Sequence, residues 1–259
     1  LSGERVVTCP SRCERSITPC HRVSRVLEFA WCADWISLRC CWLCTYRRRS
    51  TWSGVGPPNL DGKLSGCPRR VRRPRVYDPV SFRPPRSLFT DAFRCLQAAR
   101  EMELVDPTRI AVLGHSQGGG QAIAVCALAA MRGIKLAGAF VDVPFLCHIR
   151  RSCDIATDGP YLEVVRYLAA HPSLCGRAFQ TLGYFDGLHF ARRARTSTWF
   201  SVAMMDQAVP PSSVWAAYNA WGDGMVADKH IAVYPFAGHA AGEDVQRWNQ
   251  LGVLAQLFS

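Results

Sequence analysis

Gly114-His115-Ser116-Gln117-Gly118 sets a serine between two glycines in the pattern Gly-x-Ser-x-Gly, which suits a nucleophile carried on a sharp strand-to-helix turn. Glycine is needed on both sides because the chain reverses tightly there and a Cβ would strike neighbouring backbone. The turn lifts Ser116 Oγ clear of its surroundings. The Gln117 amide, at the start of the following helix, then points to where a tetrahedral oxyanion forms, helped by the positive end of the helix dipole. The same glycines could cradle an anion, as nucleotide folds do. However, a P-loop needs a lysine after its last glycine and a dinucleotide fold needs Gly-x-Gly-x-x-Gly, and this stretch has neither.

A serine alone is a weak nucleophile, so the chemistry requires a general base and a residue to orient it, in the chain order Ser, Asp, His on this kind of scaffold. Asp206 opens Asp-Gln-Ala-Val-Pro-Pro after an apolar run, and His239 follows another apolar run through Gly238. Taken singly, Asp206 reads equally well as a turn or capping aspartate and His239 as a solvated loop histidine. Their order and their shared position after strands favour the catalytic reading. His115 is read as pointing away from the site, His148 and His189 fall in a separate stretch, and His230 starts its strand. Asp223 and Asp228 read as turn residues.

These side chains need a frame, and the periodicity supplies one. Leu88, Phe89, Ala92, Phe93 and Leu96 recur at helical spacing up to about residue 103. Strand-forming runs are expected at 109–113, 136–143, 196–204 and 230–236, and helices at 121–131, 161–170, 212–221 and 244–258. The last helix carries Val245, Trp248, Leu251, Leu254 and Leu257, read as the stripe that packs on a sheet. Alternating strands and helices predict an α/β fold with a mostly parallel sheet covered on both faces. Residues 144–195 break the rhythm and read as an insertion that roofs a pocket.

The chain has 259 residues, 49% of them apolar, which suffices for a large core and excludes a disordered chain. Its net charge of +11 is confined to one part. Residues 1–86 hold 17 Lys and Arg against 6 Asp and Glu, while 87–259 hold 14 against 14. Eight of the 13 cysteines also precede residue 68. Arginines and Glu14 interrupt the first 26 residues, so no secretory leader is read there and a cytoplasmic location is expected. The charge-free run 110–131 is long enough for a membrane span, but Gly114 to Gly120 interrupts it with polar groups and flexible backbone.

From residue 87 the chain resembles the acetyl xylan esterase and cephalosporin C deacetylase family of α/β-hydrolases. The matching text runs from Val105 through Ile110-Ala-Val-Leu-Gly-His-Ser-Gln-Gly-Gly-Gly120. It resumes at Tyr184-Phe185-Asp186, at Asp206 with Val209-Pro210-Pro211-Ser212, and at Ala217-Tyr218-Asn219. The resemblance implies Ser116 as nucleophile, Asp206 as orienter, His239 as base and the Gln117 amide as one oxyanion donor. It further implies acetyl esters of small xylo-oligosaccharides as substrates, no metal or organic cofactor, and a homo-oligomer, hexameric in most members; no nucleic-acid or membrane partner is expected. The chain departs from the family at Ala240, where glutamate normally follows the histidine. It also lacks the earlier Gly-Tyr-Gly-Gly stretch, whose tyrosine amide is the second oxyanion donor, and the Arg-Gly-Gln stretch.

Residues 1–86 show little periodicity. Cys9-x3-Cys13 with Cys41-x2-Cys44 has zinc-ligand spacing, and the arginines at 69, 70, 72, 73 and 75 suit a nucleic-acid arm. Disulfides conflict with a reducing compartment. The preferred reading is translation in the wrong frame, with an in-frame patch near 50–66, which would leave the strands before Leu88 missing or degraded. Translating the other two frames of the coding DNA tests this, since one of them must then spell Gly-Tyr-Gly-Gly or Arg-Gly-Gln. Two alternatives to an active esterase follow: a hydrolase-like protein whose damaged first part leaves no competent pocket, or a basic nucleic-acid-binding module.

Overall fold

The computed structural model describes residues 87–259 throughout and the backbone of 23–32, 35–42 and 85–86. The Cys9, Cys13 and Cys44 positions, the arginines at 69–75 and the patch at 50–66 lie outside the described residues, while Cys41 falls in a strand.

Six strands form one sheet in the order β2-β1-β3-β4-β5-β6. β3 (Val105–His115), β4 (Gly138–Asp142), β5 (Thr198–Ala203) and β6 (Lys229–Tyr234) run parallel. β1 (Val23–Cys32) adds in parallel to β3, and β2 (Trp35–Trp42) adds antiparallel to β1. The sheet therefore extends past β3 into the part that shows little periodicity. β1 pairs Val23 with Val105 but Arg25 with Ile110, so the Asp106-Pro107 turn persists as an irregularity inside β3, held by Thr108 N–H donating to Asp106 Oδ1 at 2.9 Å.

β3, β4 and β5 are buried on both faces, as parallel strands between helices must be, whereas β6 is half-buried to exposed along its length. Ile110, Val112, Ala139, Val141, Phe200 and Val202 point to one side. There they meet α1 (Pro85–Glu101), α2 (Gln117–Met131) and α7 (Pro211–Ala220) through residues such as Leu96, Ile123 and Val214. Ala111, Leu113 and Phe140 alternate to the other side, against Leu254 of α8 (Glu243–Leu257) and Phe258. This is the architecture expected of an α/β-hydrolase.

Two elements differ from their sequence readings. α2 begins at Gln117 rather than 121, because Gly118 to Gly120 are helical. Their missing side chains let the helix touch the chain after β4: a Cβ on Gly120 would lie 2.4 Å from Phe145 O. α8 is rotated relative to the expected stripe. Val245 and Trp248 are 61% and 68% exposed, and the buried face is Gln246, Gln250 and Leu254. The reason is polar: a carboxylate at the end of β4 is buried beneath this helix, and an apolar side chain could not satisfy it.

The expected insertion contains α3 (Ile149–Ile155), α4 (Tyr161–Ala170), α5 (Cys175–Gly183) and α6 (Gly187–Ala191), which pack on Phe89 of α1 and Ala124 of α2. Asp186 ties it together. Its Oδ1 accepts from His148 N at 2.8 Å and Leu188 N at 3.0 Å, and its Oδ2 from Ile149 N at 2.8 Å, joining the starts of α3 and α6. Asp186→Ala strands these donors and is expected to cost about 3 kcal/mol. A chemical-denaturation midpoint reads the loss.

Candidate active site

Ser116 joins β3 to α2 with φ 54° and ψ −117°, a conformation costly for a residue with a Cβ. Surrounding bonds hold it there. Ser116 N donates to Asp142 O at 2.9 Å, and Ser116 O accepts from Gly120 N at 3.1 Å and Phe145 N at 2.9 Å. Close approach of the two flanking glycines makes the turn feasible: a Cβ on Gly114 would sit 2.0 Å from Gly118 O. Gln117 opens α2, so its amide belongs to the first turn, whose N–H groups have no acceptor within the helix.

Asp206 lies just beyond β5, with its side chain fully buried. Its Oδ1 accepts from Ala208 N and Val209 N, each at 2.9 Å, which fixes the carboxylate and leaves Oδ2 to face His239. His239 follows β6, and its side chain is 37% exposed. Its Nδ1 is 2.8 Å from Asp206 Oδ2 and its Nε2 is 2.8 Å from Ser116 Oγ. Asp206 can only accept and Ser116 Oγ–H can donate. The tautomer that satisfies both contacts therefore carries its proton on Nδ1 and offers the Nε2 lone pair to the serine.

The three side chains singled out in the sequence thus meet at the carboxyl ends of β3, β5 and β6. The competitors do not join them. Asp228 pairs at 2.8 Å with His230 on the surface, and its carboxyl is held below its usual value mainly by a hydrogen bond from Ser197. His148 starts α3, and His189 lies in α6. Among the described residues no group of three His, Cys, Asp or Glu could hold a metal, and no helix is long and apolar enough to cross a membrane.

His115 requires a correction. It does not point away from the site: its ring stands edge to face with His239, centroids 5.2 Å apart and planes at 64°. The parallel register pairs His115 with Asp142, a buried carboxylate that sequence reasoning missed. The available signal was an acidic residue closing an otherwise apolar run, Ala139-Phe-Val-Asp142.

A family model described as acetyl xylan esterase matches residues 83–257. Among solved structures, the acetyl xylan esterase from Paenibacillus sp. R4 is 32% identical with a TM-score of 0.58, over 65% of this chain and 52% of that one. Acetyl xylan esterase 1 from Thermoanaerobacterium sp. JW/SL YS485 is 30% identical with a TM-score of 0.59, over 67% of this chain and 53% of that one. A puromycin-hydrolyzing peptidase of Mycobacterium tuberculosis shares the fold alone, at 17% identity and TM-score 0.51, over 66% of this chain and 25% of its own. The chain spans about half the length of the two esterases. Since the family match runs through every element that carries Ser116, Asp206 and His239, the chain belongs to the acetyl xylan esterase family.

Proposed function

We propose that this chain is a serine esterase that removes acetyl groups from small acetylated carbohydrates such as xylo-oligosaccharides. The observation that carries this reading is the unbroken line from Asp206 Oδ2 through both His239 nitrogens to Ser116 Oγ, with 2.8 Å at each step. Family membership supports the choice of acyl group and of sugar.

In this mechanism Ser116 Oγ attacks the ester carbonyl while His239 Nε2 takes its proton. The new imidazolium is stabilised by the Asp206 carboxylate, which stays ionised. The oxyanion lies against the Gln117 amide. Collapse of the tetrahedral intermediate breaks the bond to the sugar oxygen, which leaves with the proton from Nε2. A water then gives its proton to His239 and attacks the acetyl-serine, releasing acetate and restoring Ser116.

The test measures acetate released from acetylated xylo-oligosaccharides, beside hydrolysis of p-nitrophenyl acetate, butyrate and octanoate, with Ser116→Ala as the background. The expected result is acetate release from the sugar and a fall in rate as the acyl chain lengthens. Turnover no higher than the background, in a chain folded by circular dichroism, overturns the reading. It would favour a hydrolase-like protein without a competent pocket, in keeping with the missing Gly-Tyr-Gly-Gly stretch.

A further inference from the structure

β3 and β4 end side by side, with His115 opposite Asp142. Strand alternation sends both toward α8, on the side of Ala111, Leu113 and Phe140. Asp142 is buried there and fully engaged. Its Oδ1 accepts from Ser201 Oγ at 2.6 Å and Gln246 Nε2 at 2.8 Å, and its Oδ2 from Gln250 Nε2 at 2.6 Å. Gln246 Oε1 in turn accepts from Tyr234 OH at 2.7 Å. Tyr234 ends β6 and Gln246 lies in the first turn of α8, so this network closes both ends of the loop that carries His239 and fastens them to β4.

The loop is anchored, yet the ring itself needs a further constraint. Contacts at Nδ1 and Nε2 fix an axis through the two nitrogens and leave the ring free to tilt about it. The Nδ1–H and Nε2 lone-pair directions are not collinear with that axis, so tilting misaligns both at once. A third contact from the side removes this freedom, and the edge-to-face ring of His115 supplies it. Burial, the largest influence on His115, holds its pKa below the usual histidine value despite the opposing pull of Asp142.

Resting on the reading of Ser116, Asp206 and His239 as a triad, we propose that His115 is a positioning residue for the base, set against it by the buried Asp142 anchor. It touches no reacting atom. Its effect should therefore fall on the chemical step and leave substrate binding alone.

Kinetics of His115→Ala and His115→Phe on p-nitrophenyl acetate, with Ser116→Ala as baseline, test this. His115→Ala is expected to lower kcat about tenfold with KM within about twofold, since small misplacements of a reacting group are costly. His115→Phe keeps a ring in place without a titrating group, and is expected to restore kcat to within about threefold of the parent. If His115→Ala does not fold, the ringless His115→Gln replaces it with the same expectation. An unchanged kcat in the ringless variant, a loss confined to KM, or a phenylalanine variant as slow as the ringless one overturns the proposal. If Ser116→Ala is as active as the parent, the triad reading itself has failed, an outcome distinct from those three.

Discussion

Ser116→Ala is expected to lower turnover of p-nitrophenyl acetate by on the order of 10⁶-fold, the scale at which removal of the nucleophile or base disables this type of hydrolase. Asp206→Asn should cost roughly 10⁴-fold through a different route. Its carbonyl oxygen can still accept from Ala208 N and Val209 N, so the loop need not move. Its amide, however, turns an N–H toward His239 Nδ1, which forces the imidazole proton onto Nε2, where it faces Ser116 Oγ and can no longer take a proton. In the proposed mechanism the three groups act as a unit, so Ser116→Ala combined with His239→Ala should be no slower than Ser116→Ala alone. Rates measured on these three variants and on His239→Ala alone, each shown to be folded, check the set. Independent multiplication of the effects would mean that the side chains do not act together.

Gly114→Ala is expected to damage the fold more than any other single methyl addition considered for the site. The added carbon would sit 2.0 Å from Gly118 O, 2.2 Å from Gly118 C and 2.7 Å from Gly119 N, all backbone atoms of the nucleophile turn. No side chain can rotate away to make room, so the turn must open or β3 must shift. A loss of about 4 kcal/mol or more follows, equivalent to a fall in Tm of roughly 10 °C for a domain of this size. Gly252→Ala is the matched control. That residue is exposed in α8 with nothing within 4 Å of its added Cβ, and alanine there should stabilise by about 0.5–1 kcal/mol. Thermal melts of the two variants and the parent decide the matter. Equal melting points would mean that the turn is looser than its contacts imply.

Much of the site was legible in the residues because local rules govern it. A glycine-flanked serine between an apolar run and a helix can form only a few kinds of turn. A strand end followed by Asp206 or by Gly238-His239 leaves a polar side chain at the sheet's carboxyl edge. Periodicity likewise located α1, α2, α4, α7, α8 and β3 to β6 to within a few residues, whereas the short helices α3, α5 and α6 gave no such signal.

What remained hidden depends on neighbours distant in the chain. The buried face of α8 passes through Gln246 and Gln250 because Asp142, 104 and 108 residues away, needs donors. No hydrophobic count along the helix could reveal that. Leu254 of the expected stripe is buried, but the carboxylate on β4 turns Val245 and Trp248 out to solvent and Gln246 and Gln250 inward. His115 is the same lesson at shorter range: strand alternation sets the side of the sheet it faces, but only the docking of the loop after β6 brings His239 against it. The amino-acid order by itself determined the glycine-flanked turn at Ser116, the order Ser116, Asp206, His239 and the alternation of strands and helices, since these follow from backbone sterics and local burial. The tertiary structure alone decided which polar groups are buried together, because a buried charge is satisfied through space by whichever donors the fold delivers to it.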